Sequence, residues 1–334
     1  MKNLTIKDIA KEAGVSVTAV SFVLNGKESS VSKATAEKII SVCNKYNYKP
    51  NYLASSLKSK SSKIVGCVIP DIENNYYSRL ISRLEEELQK EGYKLLIANT
   101  SYDMGKCIEA ISDLVNHMVD CLVIVPPSSF AKKDLSLDET IASLSVPCVL
   151  LDRTVGSKWN HAVLTDDVFG GYLATKYLIE HHHTKIALIT GPSEISSSLD
   201  RLSGYKKALA EFGLTYDESL VFEGDYHDPS GEMCARKILE KHGDIDAIFA
   251  FNDIMAYGAY RVLNEHGLVI GKDVSLIGYD DIYFSSLINP RLTTIRQDVD
   301  ALCKSVVEVL FGEDKGQGTI LVTPSLVERE SVKL

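Results

Sequence analysis

Pairs of polar residues follow apolar runs at three places in the chain, and these pairs could bind a small molecule. They are Asp152-Arg153 after VLL, Asn252-Asp253 after FAF, and Asp280-Asp281 after IGY. Carboxylate, guanidinium and amide groups hydrogen-bond the polar groups of a ligand and fix its orientation. Asp280 and Asp281 could also act as a catalytic acid and base. The sequence contains no nucleophile elbow, P-loop or HExxH motif, so we expect a binding protein rather than an enzyme.

The elements that must position these pairs begin at residue 64. From there, continuous Val/Ile/Leu runs alternate with helical patterns in two cycles, the second starting near Thr165. Such runs predict parallel sheets covered by helices on both faces, here in two doubly wound α/β lobes. Ligands bind such folds where the carboxyl ends of the strands face a crevice. Each of the three polar pairs follows a predicted strand and so falls at such an end.

The first 25 residues carry a different pattern. Thr5 and Asp8 are spaced as a capping box before an apolar stripe at helical spacing, and Gly14 breaks that helix. Ser16 is an N-cap for a second short helix. Two short helices joined by a Gly-containing turn predict a helix-turn-helix, whose second helix enters the DNA major groove. An ordinary helical hairpin is the alternative, and a third helix over about 32–46 completes a small all-α domain.

The distribution of charge also separates the N-terminal region from the rest of the chain. The net charge is −9, yet residues 1–60 hold ten Lys and no Arg against four acidic residues, a net of +6, which leaves −15 for the rest. A basic N-terminal region joined to an acidic remainder is expected when only the N-terminal region contacts nucleic-acid phosphate. The seven cysteines include no CxxC pair, and no apolar run is long enough to span a membrane. We therefore expect reduced thiols, a cytoplasmic location and no membrane association.

Three features together resemble the lactose-repressor/galactose-repressor (LacI/GalR) family of bacterial transcription regulators. They are TIKDIAKEAGVSVTAVSFVLNG at the N-terminus, YKPNYLASSL two dozen residues later, and a body that resembles a periplasmic sugar-binding protein. The body carries IPDIENNYYSRL, LTDDVFGG, RLSGY, NDIMAYGA, VSLIGYDDI, LTTIRQD and LVERES. The resemblance covers essentially the whole chain, with the motifs in the family's order and spacing.

The resemblance implies a domain organisation and a mode of action. It implies a helix-turn-helix DNA-binding headpiece over 1–49, a hinge helix and linker over 50–62, and a periplasmic-binding-protein-like core over 63–334. The core would divide into lobe 1 (63–164 and 294–322) and lobe 2 (165–293 and 323–334). Members of the family bind a pseudo-palindromic double-stranded DNA operator as homodimers. A small effector bound between the lobes then alters operator affinity allosterically, so the resemblance implies a repressor of transcription.

The resemblance also assigns roles to individual residues. The base-reading positions are Val17, Thr18 and Phe22, and the phosphate-facing or capping positions are Thr5, Ser16, Ser21 and Asn25. Leu57 matches the leucine that wedges into the minor groove, flanked by Asn51, Ala54 and Lys58. The polar effector-binding positions are Asp152, Arg153, Asp166, Arg201, Asn252, Asp280 and Gln297. The candidate aromatic walls of the effector site are Tyr76, Tyr77 and Phe249.

Alternatives remain for several of these assignments. Arg153 together with Asn252 favours a monosaccharide or derivative over the nucleobase of a purine-sensing relative. Arg153 and Asp166 could instead pair with each other, and Phe249 could be a core residue. The core could also respond to a protein coregulator, as in the catabolite-control branch, or to a non-sugar metabolite. We expect no cofactor. We also expect no metal, because the side chains of the consecutive residues His181 to His183 would point in different directions from a helix and could not chelate one ion well.

One departure from the family leads to a prediction about the operator. The family usually has Arg at position 22 and often at 55, whereas this chain has Phe22 and Ser55, and its first Arg is Arg79. Bidentate Arg–guanine contacts therefore cannot form in the headpiece. Thr18 can bond a base edge, while Val17 and Phe22 offer only apolar contact, for instance to thymine methyl groups.

We predict that the outer operator half-site depends less on guanine than is usual in the family. Selection of bound sequences from a random DNA library measures this preference directly. A strict guanine opposite residue 22 in the selected sites would contradict the prediction.

Overall fold

This computed structural model describes residues 4–24, 30–48, 61–127, 136–154, 161–312 and 318–333. The chain divides into two compact units, residues 1–62 and 63–334. Five of the predicted DNA-binding residues lie outside the described ranges: Asn25, Asn51, Ala54, Leu57 and Lys58. Among the described residues, no helix is both long and apolar enough to cross a membrane.

In the described part of the first unit, three short helices pack around one small core. They are α1 (Ile6–Ala13), α2 (Val17–Leu24) and α3 (Lys33–Lys45). The carboxylate of Asp8 accepts hydrogen bonds from the backbone N–H of Thr5 at 2.8 Å and from its hydroxyl at 2.7 Å, which closes the predicted capping box. Gly14 ends α1 with a φ of +64°, a conformation that favours glycine. The predicted all-α headpiece is confirmed.

Lobe 1 of the second unit is a six-stranded parallel sheet in the order β2-β1-β3-β4-β5-β11. Its strands are β1 (Ile64–Ile69), β2 (Lys94–Asn99), β3 (Cys121–Ile124), β4 (Cys148–Leu151), β5 (His161–Thr165) and β11 (Gly318–Val322). Its helices are α4 (Asn75–Lys90), α5 (Met104–Asn116), α6 (Ser136–Ala142) and α11 (Val299–Phe311). Helices α4 and α11 share one apolar core with the sheet, and α5 and α6 share a second core. The lobe therefore has three layers.

Lobe 2 is a second six-stranded sheet in the order β7-β6-β8-β9-β10-β12, parallel except for β12. Its strands are β6 (Ile186–Thr190), β7 (Val221–Glu223), β8 (Ala247–Ala250), β9 (Ser275–Asp280), β10 (Thr293–Arg296) and β12 (Ser325–Val327). Its helices are α7 (Asp167–Glu180), α8 (Ser196–Glu211), α9 (Asp228–Lys241) and α10 (Asp253–Glu265). The predicted core of two doubly wound lobes is confirmed.

One crossover between the lobes does not coincide with the boundary predicted at residue 294. Strand β10 pairs with β9 in lobe 2, with Thr293 opposite Ile277, so a boundary at 294 would cut through this strand. The crossover lies after Arg296 instead, and the first crossover follows Thr165, the last residue of β5. Local pattern cannot reveal these boundaries, because a crossing strand is as apolar as its neighbours in either sheet.

Helices α7 and α8 pack backbone to backbone through two glycines. A Cβ atom on Gly204 would lie far inside van der Waals contact of the Val168 carbonyl oxygen, and one on Gly171 would meet the Arg201 carbonyl oxygen in the same way. Only glycine permits this approach. The contact fixes the position of α8 and therefore of the Arg201 side chain.

We predict that Gly204→Ala lowers the free energy of unfolding of the core by about 1–3 kcal/mol or more, because the helices must separate to admit the methyl group. Thermal or urea unfolding of the purified protein measures the loss. Gly243→Ala is the matched control, since its new Cβ would have its nearest neighbour, the Leu239 carbonyl oxygen, at 3.6 Å. Equal stability of the two variants would refute the close packing of α7 on α8.

Candidate functional site

Helix α2 presents an outward face that bears the candidate base-reading residues. Val20 and Val23 point into the headpiece core, while Val17 is 40% exposed and Thr18 is exposed. Ser21 and Phe22 are half-buried along the same helix. The candidate phosphate-facing residues Thr5 and Ser16 both act as caps in the structure, and Ser16 Oγ accepts a hydrogen bond from the backbone N–H of Ala19 at 3.1 Å. Helices α1 and α3 carry five exposed lysines: Lys7, Lys11, Lys33, Lys38 and Lys45.

Eleven side chains from both lobes line one small cavity in the second unit. Eight of them were expected from the sequence: Tyr76, Tyr77, Asp152, Arg153, Arg201, Asn252, Asp280 and Gln297. The other three are Asn74, Ser197 and Tyr226. The cavity measures about 20 Å³, far below the roughly 300 Å³ of a typical ligand pocket. A ligand therefore needs the lobes to separate or the side chains to move before it can bind.

Two of the ten expected residues do not line this cavity. Phe249 is fully buried within the lobe 2 core, with its ring 5.0 Å from that of Phe251. Asp166 caps helix α7, and its Oδ1 accepts a hydrogen bond from the backbone N–H of Phe169 at 2.9 Å. In the structure, Phe249 is thus a core residue and Asp166 is the N-cap of α7.

A chain of hydrogen bonds crosses the cavity through Gln297, which follows β10 at the crossover. Its Oε1 accepts from the hydroxyl of Tyr76 at 3.1 Å and from that of Thr165 at 2.5 Å. Its Nε2 donates to Asp280 Oδ1 at 2.8 Å. Tyr76 belongs to lobe 1 and Asp280 to lobe 2, so one amide joins the two halves of the site.

Arg201 is held from several sides at once. Its Nε donates to Asp167 Oδ1 at 2.8 Å, its Nη1 donates to the carbonyl oxygen of Phe251, and its guanidinium lies 3.6 Å from the centre of the Tyr279 ring. Burial raises the pKa of Asp167 to about 6, although the charge of Arg201 and the hydroxyl of Tyr279 act in the opposite direction. This buried network fixes the guanidinium at the cavity wall.

Asp253 and Asp281, the second members of two polar pairs, support the loops behind the cavity. Asp253 Oδ2 accepts from the backbone N–H of Ile282 at 3.0 Å, and its Oδ1 accepts from the hydroxyl of Thr294 at 2.6 Å. Asp281 forms ion pairs with Arg296 and Arg329. Neither residue lines the cavity.

Three cavity residues have left-handed backbone conformations that side chains other than glycine rarely adopt. The φ angles are +68° at Asp152, +70° at Tyr226 and +106° at Asp280. Each follows or ends a strand at its carboxyl end, and such strain concentrates at functional sites. Tyr226 and the short strand β7 before it escaped the sequence analysis, because three residues give no usable hydrophobic period. Asn74 was also missed, although NN after a strand is an N-cap signal for α4.

The histidine triplet that follows α7 forms a turn. His182 has a φ of +68°, a left-handed conformation that residues other than glycine rarely adopt. The ring of His183 bonds Ser275 through Nε2 at 2.8 Å, and His181 Nδ1 lies 2.8 Å from the Tyr177 carbonyl oxygen. Within the described ranges, no group of three or more His, Cys, Asp or Glu side chains could hold a metal ion.

A helix-turn-helix headpiece joined in sequence to a two-lobed core with an interlobe cavity defines a ligand-binding transcription regulator as a class. Comparison with known protein families supports this class for both the headpiece and the core. The bacterial regulatory proteins of the lacI family match residues 5–51, and the periplasmic binding protein-like domain matches residues 175–332. The chain belongs to the lacI family and is a DNA-binding transcriptional repressor of that family.

Several relatives resemble it along nearly its whole length. The HTH-type transcriptional repressor PurR of Haemophilus influenzae (strain PittEE) is 37% identical over 98% of this chain and 98% of its own. The lac repressor dimer bound to operator and the anti-inducer ONPF has a TM-score of 0.88 at 29% identity, covering 100% of both chains. The transcriptional regulator CelR in complex with cellobiose has a TM-score of 0.74 at 28% identity, covering 98% of this chain and 99% of that one.

We predict that Asp167→Asn destabilises the core by about 3–5 kcal/mol, because it leaves the buried Arg201 charge uncompensated. The double variant Asp167→Leu/Arg201→Met removes both charges, so its loss of unfolding free energy should be smaller than that of Asp167→Asn. Urea unfolding measures both. The control Arg261→Gln breaks an exposed pair with Asp228 and Glu232 and should change stability by less than about 1 kcal/mol. A double variant less stable than Asp167→Asn would argue against this account.

Proposed function

We propose that the operator affinity of this repressor is controlled by a small polar effector, a monosaccharide or derivative, bound between the two core lobes. The observation that carries the proposal is the convergence of eight predicted side chains on one interlobe cavity. The protein would act as a homodimer on a pseudo-palindromic double-stranded DNA operator, in line with the lac repressor dimer solved on operator DNA.

The chemistry of the cavity suits a sugar. Asp152, Asn252, Asp280 and Gln297 supply oxygen and nitrogen atoms for vicinal hydroxyls, and Tyr226 supplies an aromatic ring for the C–H side of a sugar. Pockets that bind a specific ligand combine such aromatic walls with a few converging polar groups. The complex of CelR with cellobiose supports the same class of ligand.

Ligand-dependent closure of the lobes is the proposed switch. Besides Gln297, contacts across the cleft include Arg79 Nη1 to the Asp281 carbonyl oxygen at 3.4 Å and His227 Nε2 to Asp71 Oδ2 at 3.9 Å. An effector that binds the closed form better than the open form shifts the balance between them. Coupling of this kind is typically about 1–3 kcal/mol, or roughly 5- to 150-fold in affinity for the operator.

The headpiece would read the operator through the outward face of α2. Val17, Thr18 and Phe22 would contact base edges in the major groove, as the second helix of a helix-turn-helix does. Thr5, Ser16, Ser21 and Asn25 would contact or orient toward phosphates. We propose that Leu57 wedges into the minor groove, flanked by Asn51, Ala54 and Lys58.

A nucleobase is the second candidate effector. Repressors named PurR are 37% identical over nearly the whole chain, and the family has a purine-sensing branch. The rings of Tyr76, Tyr77 and Tyr226 at the cavity could stack on a flat base. The same binding experiment therefore includes purines.

We predict that isothermal titration of the purified protein detects binding of a sugar or sugar derivative, and that Asp280→Ala weakens it at least tenfold by removing a hydrogen-bonding carboxyl group. The panel holds pentoses, hexoses, their acids and phosphates, and purines. Asp113→Ala, which alters an exposed carboxylate on α5, is the control and should bind as the parent does.

The ligand found is then added to the protein on DNA selected from a random library. A changed affinity for that DNA supports the proposed switch. Binding of purines alone would replace the sugar with the second candidate. A folded, DNA-binding protein that binds no member of the panel would refute control by a sugar.

A further inference from the structure

Three buried hydrogen-bond donors at the cavity have no acceptor. Among the described residues, neither Nε nor Nη1 of Arg153 makes a hydrogen bond, and the hydroxyl of Tyr226 makes none. Each residue is only 5% exposed. The Arg153 guanidinium lies 5.5 Å from the centre of the Tyr226 ring, so the donors of lobe 1 and lobe 2 are neighbours. A buried donor without a partner is costly, and each such group calls for an explanation.

The nearby acceptors are already engaged or badly aligned. Asp152 Oδ2 lies 3.3 Å from Arg153 Nε but accepts its hydrogen bond from the hydroxyl of Tyr77 at 3.0 Å. Gln297 Oε1 accepts two hydrogen bonds, and Asn252 Oδ1 accepts one from the backbone N–H of Met255. In this structure these acceptors therefore leave the Arg153 and Tyr226 donors unpaired.

Asp280 lines the same cavity, and its Oδ1 already accepts a hydrogen bond from Gln297 Nε2. Burial raises the pKa of its carboxyl group well above the usual range, although the nearby Arg201 charge opposes this. In the closed cavity burial therefore disfavours the negatively charged form of this carboxyl group. Arg201 offers little to a ligand, because its Nε and Nη1 are taken by Asp167 and the Phe251 carbonyl oxygen.

We infer that the effector is an anionic sugar derivative, whose carboxylate or phosphate oxygens accept hydrogen bonds from Arg153 and Tyr226. This inference rests on the proposed function and specifies its ligand. An anionic oxygen accepts several hydrogen bonds and brings no hydrogen of its own, whereas each neutral hydroxyl adds another donor. The planar guanidinium matches carboxylate and phosphate groups in geometry as well as charge.

The test compares ligands that differ only in the anionic group. Isothermal titration of the full chain uses glucuronate with glucuronamide, galacturonate with galacturonamide, glucose 6-phosphate with glucose, and ribose 5-phosphate with ribose. The first two pairs probe a carboxylate, and the last two probe a phosphate. We expect at least one anionic member to bind about 10- to 150-fold more tightly than its neutral partner, as for hydrogen bonds to charged groups.

Variants show whether this selectivity arises at the inferred contact. Arg153→Gln should bring the ratio of the two affinities close to one, and Arg153→Lys should restore part of it because the charge is kept. Tyr226→Phe keeps the ring and should weaken binding of the anionic member by about tenfold or less. The controls are Arg261→Gln on the surface and Tyr205→Phe, whose hydroxyl bonds the Ile186 carbonyl oxygen within the lobe 2 core. Both controls should leave the ratio unchanged.

The outcomes separate the inference from the proposed function. If neutral members bind as tightly as their anionic partners, or if Arg153→Gln weakens both equally, the anionic ligand is overturned and sugar control stands. If a folded, DNA-binding protein binds no sugar of either kind, the proposed function fails and the inference fails with it. Thermal unfolding without ligand verifies that each variant is folded. If Arg153→Gln does not fold, the comparison of anionic and neutral ligands is made with Tyr226→Phe and Arg153→Lys instead.

Discussion

The buried ion pair between Arg201 and Asp167 is the interaction on which the lobe 2 side of the cavity depends. It joins α8 to α7, while the Phe251 carbonyl oxygen and the Tyr279 ring tie the same guanidinium to the sheet. Burying a charge is unfavourable unless it is paired and hydrogen-bonded, so each of these partners stabilises the folded lobe. The close approach at Gly171 and Gly204 makes this possible by bringing the two helix backbones together.

Gln297 connects the two lobes at the cavity through the hydrogen bonds of its amide group. It lies just after the strand at which the chain leaves lobe 2, and its amide bonds Tyr76, Thr165 and Asp280. If the lobes move apart, at least one of these bonds must break or be remade with the ligand or with water. The crossover is therefore where a ligand can distinguish an open form from a closed form, which is the requirement for shifting their populations.

The sequence predicted the polar residues at strand ends well, because a strand and a following cap are local patterns. Asp152, Asn252 and Asp280 were found in this way, and the structure brings them to one cavity. For Phe249 the sequence left both an aromatic wall and a core residue open, because both faces of a parallel strand are buried and burial alone does not tell which face looks toward a ligand. In the structure it packs in the lobe 2 core. Tyr226 was missed because its position depends on a three-residue strand and a left-handed backbone, which no hydrophobic period records.

The strained backbone at Asp152, Tyr226 and Asp280 gives a reason for selectivity. Conformations of this kind typically cost on the order of 1–3 kcal/mol each, and persist only where the surrounding structure determines them. Here each residue is anchored to the end of a strand or to the loop directly after one, within a buried sheet. The polar groups are thus oriented before the ligand arrives, and less free energy is lost in ordering them on binding. A ligand that does not match this fixed pattern leaves buried donors unpaired, so rejection of the wrong ligand follows from the same rigidity that favours the right one.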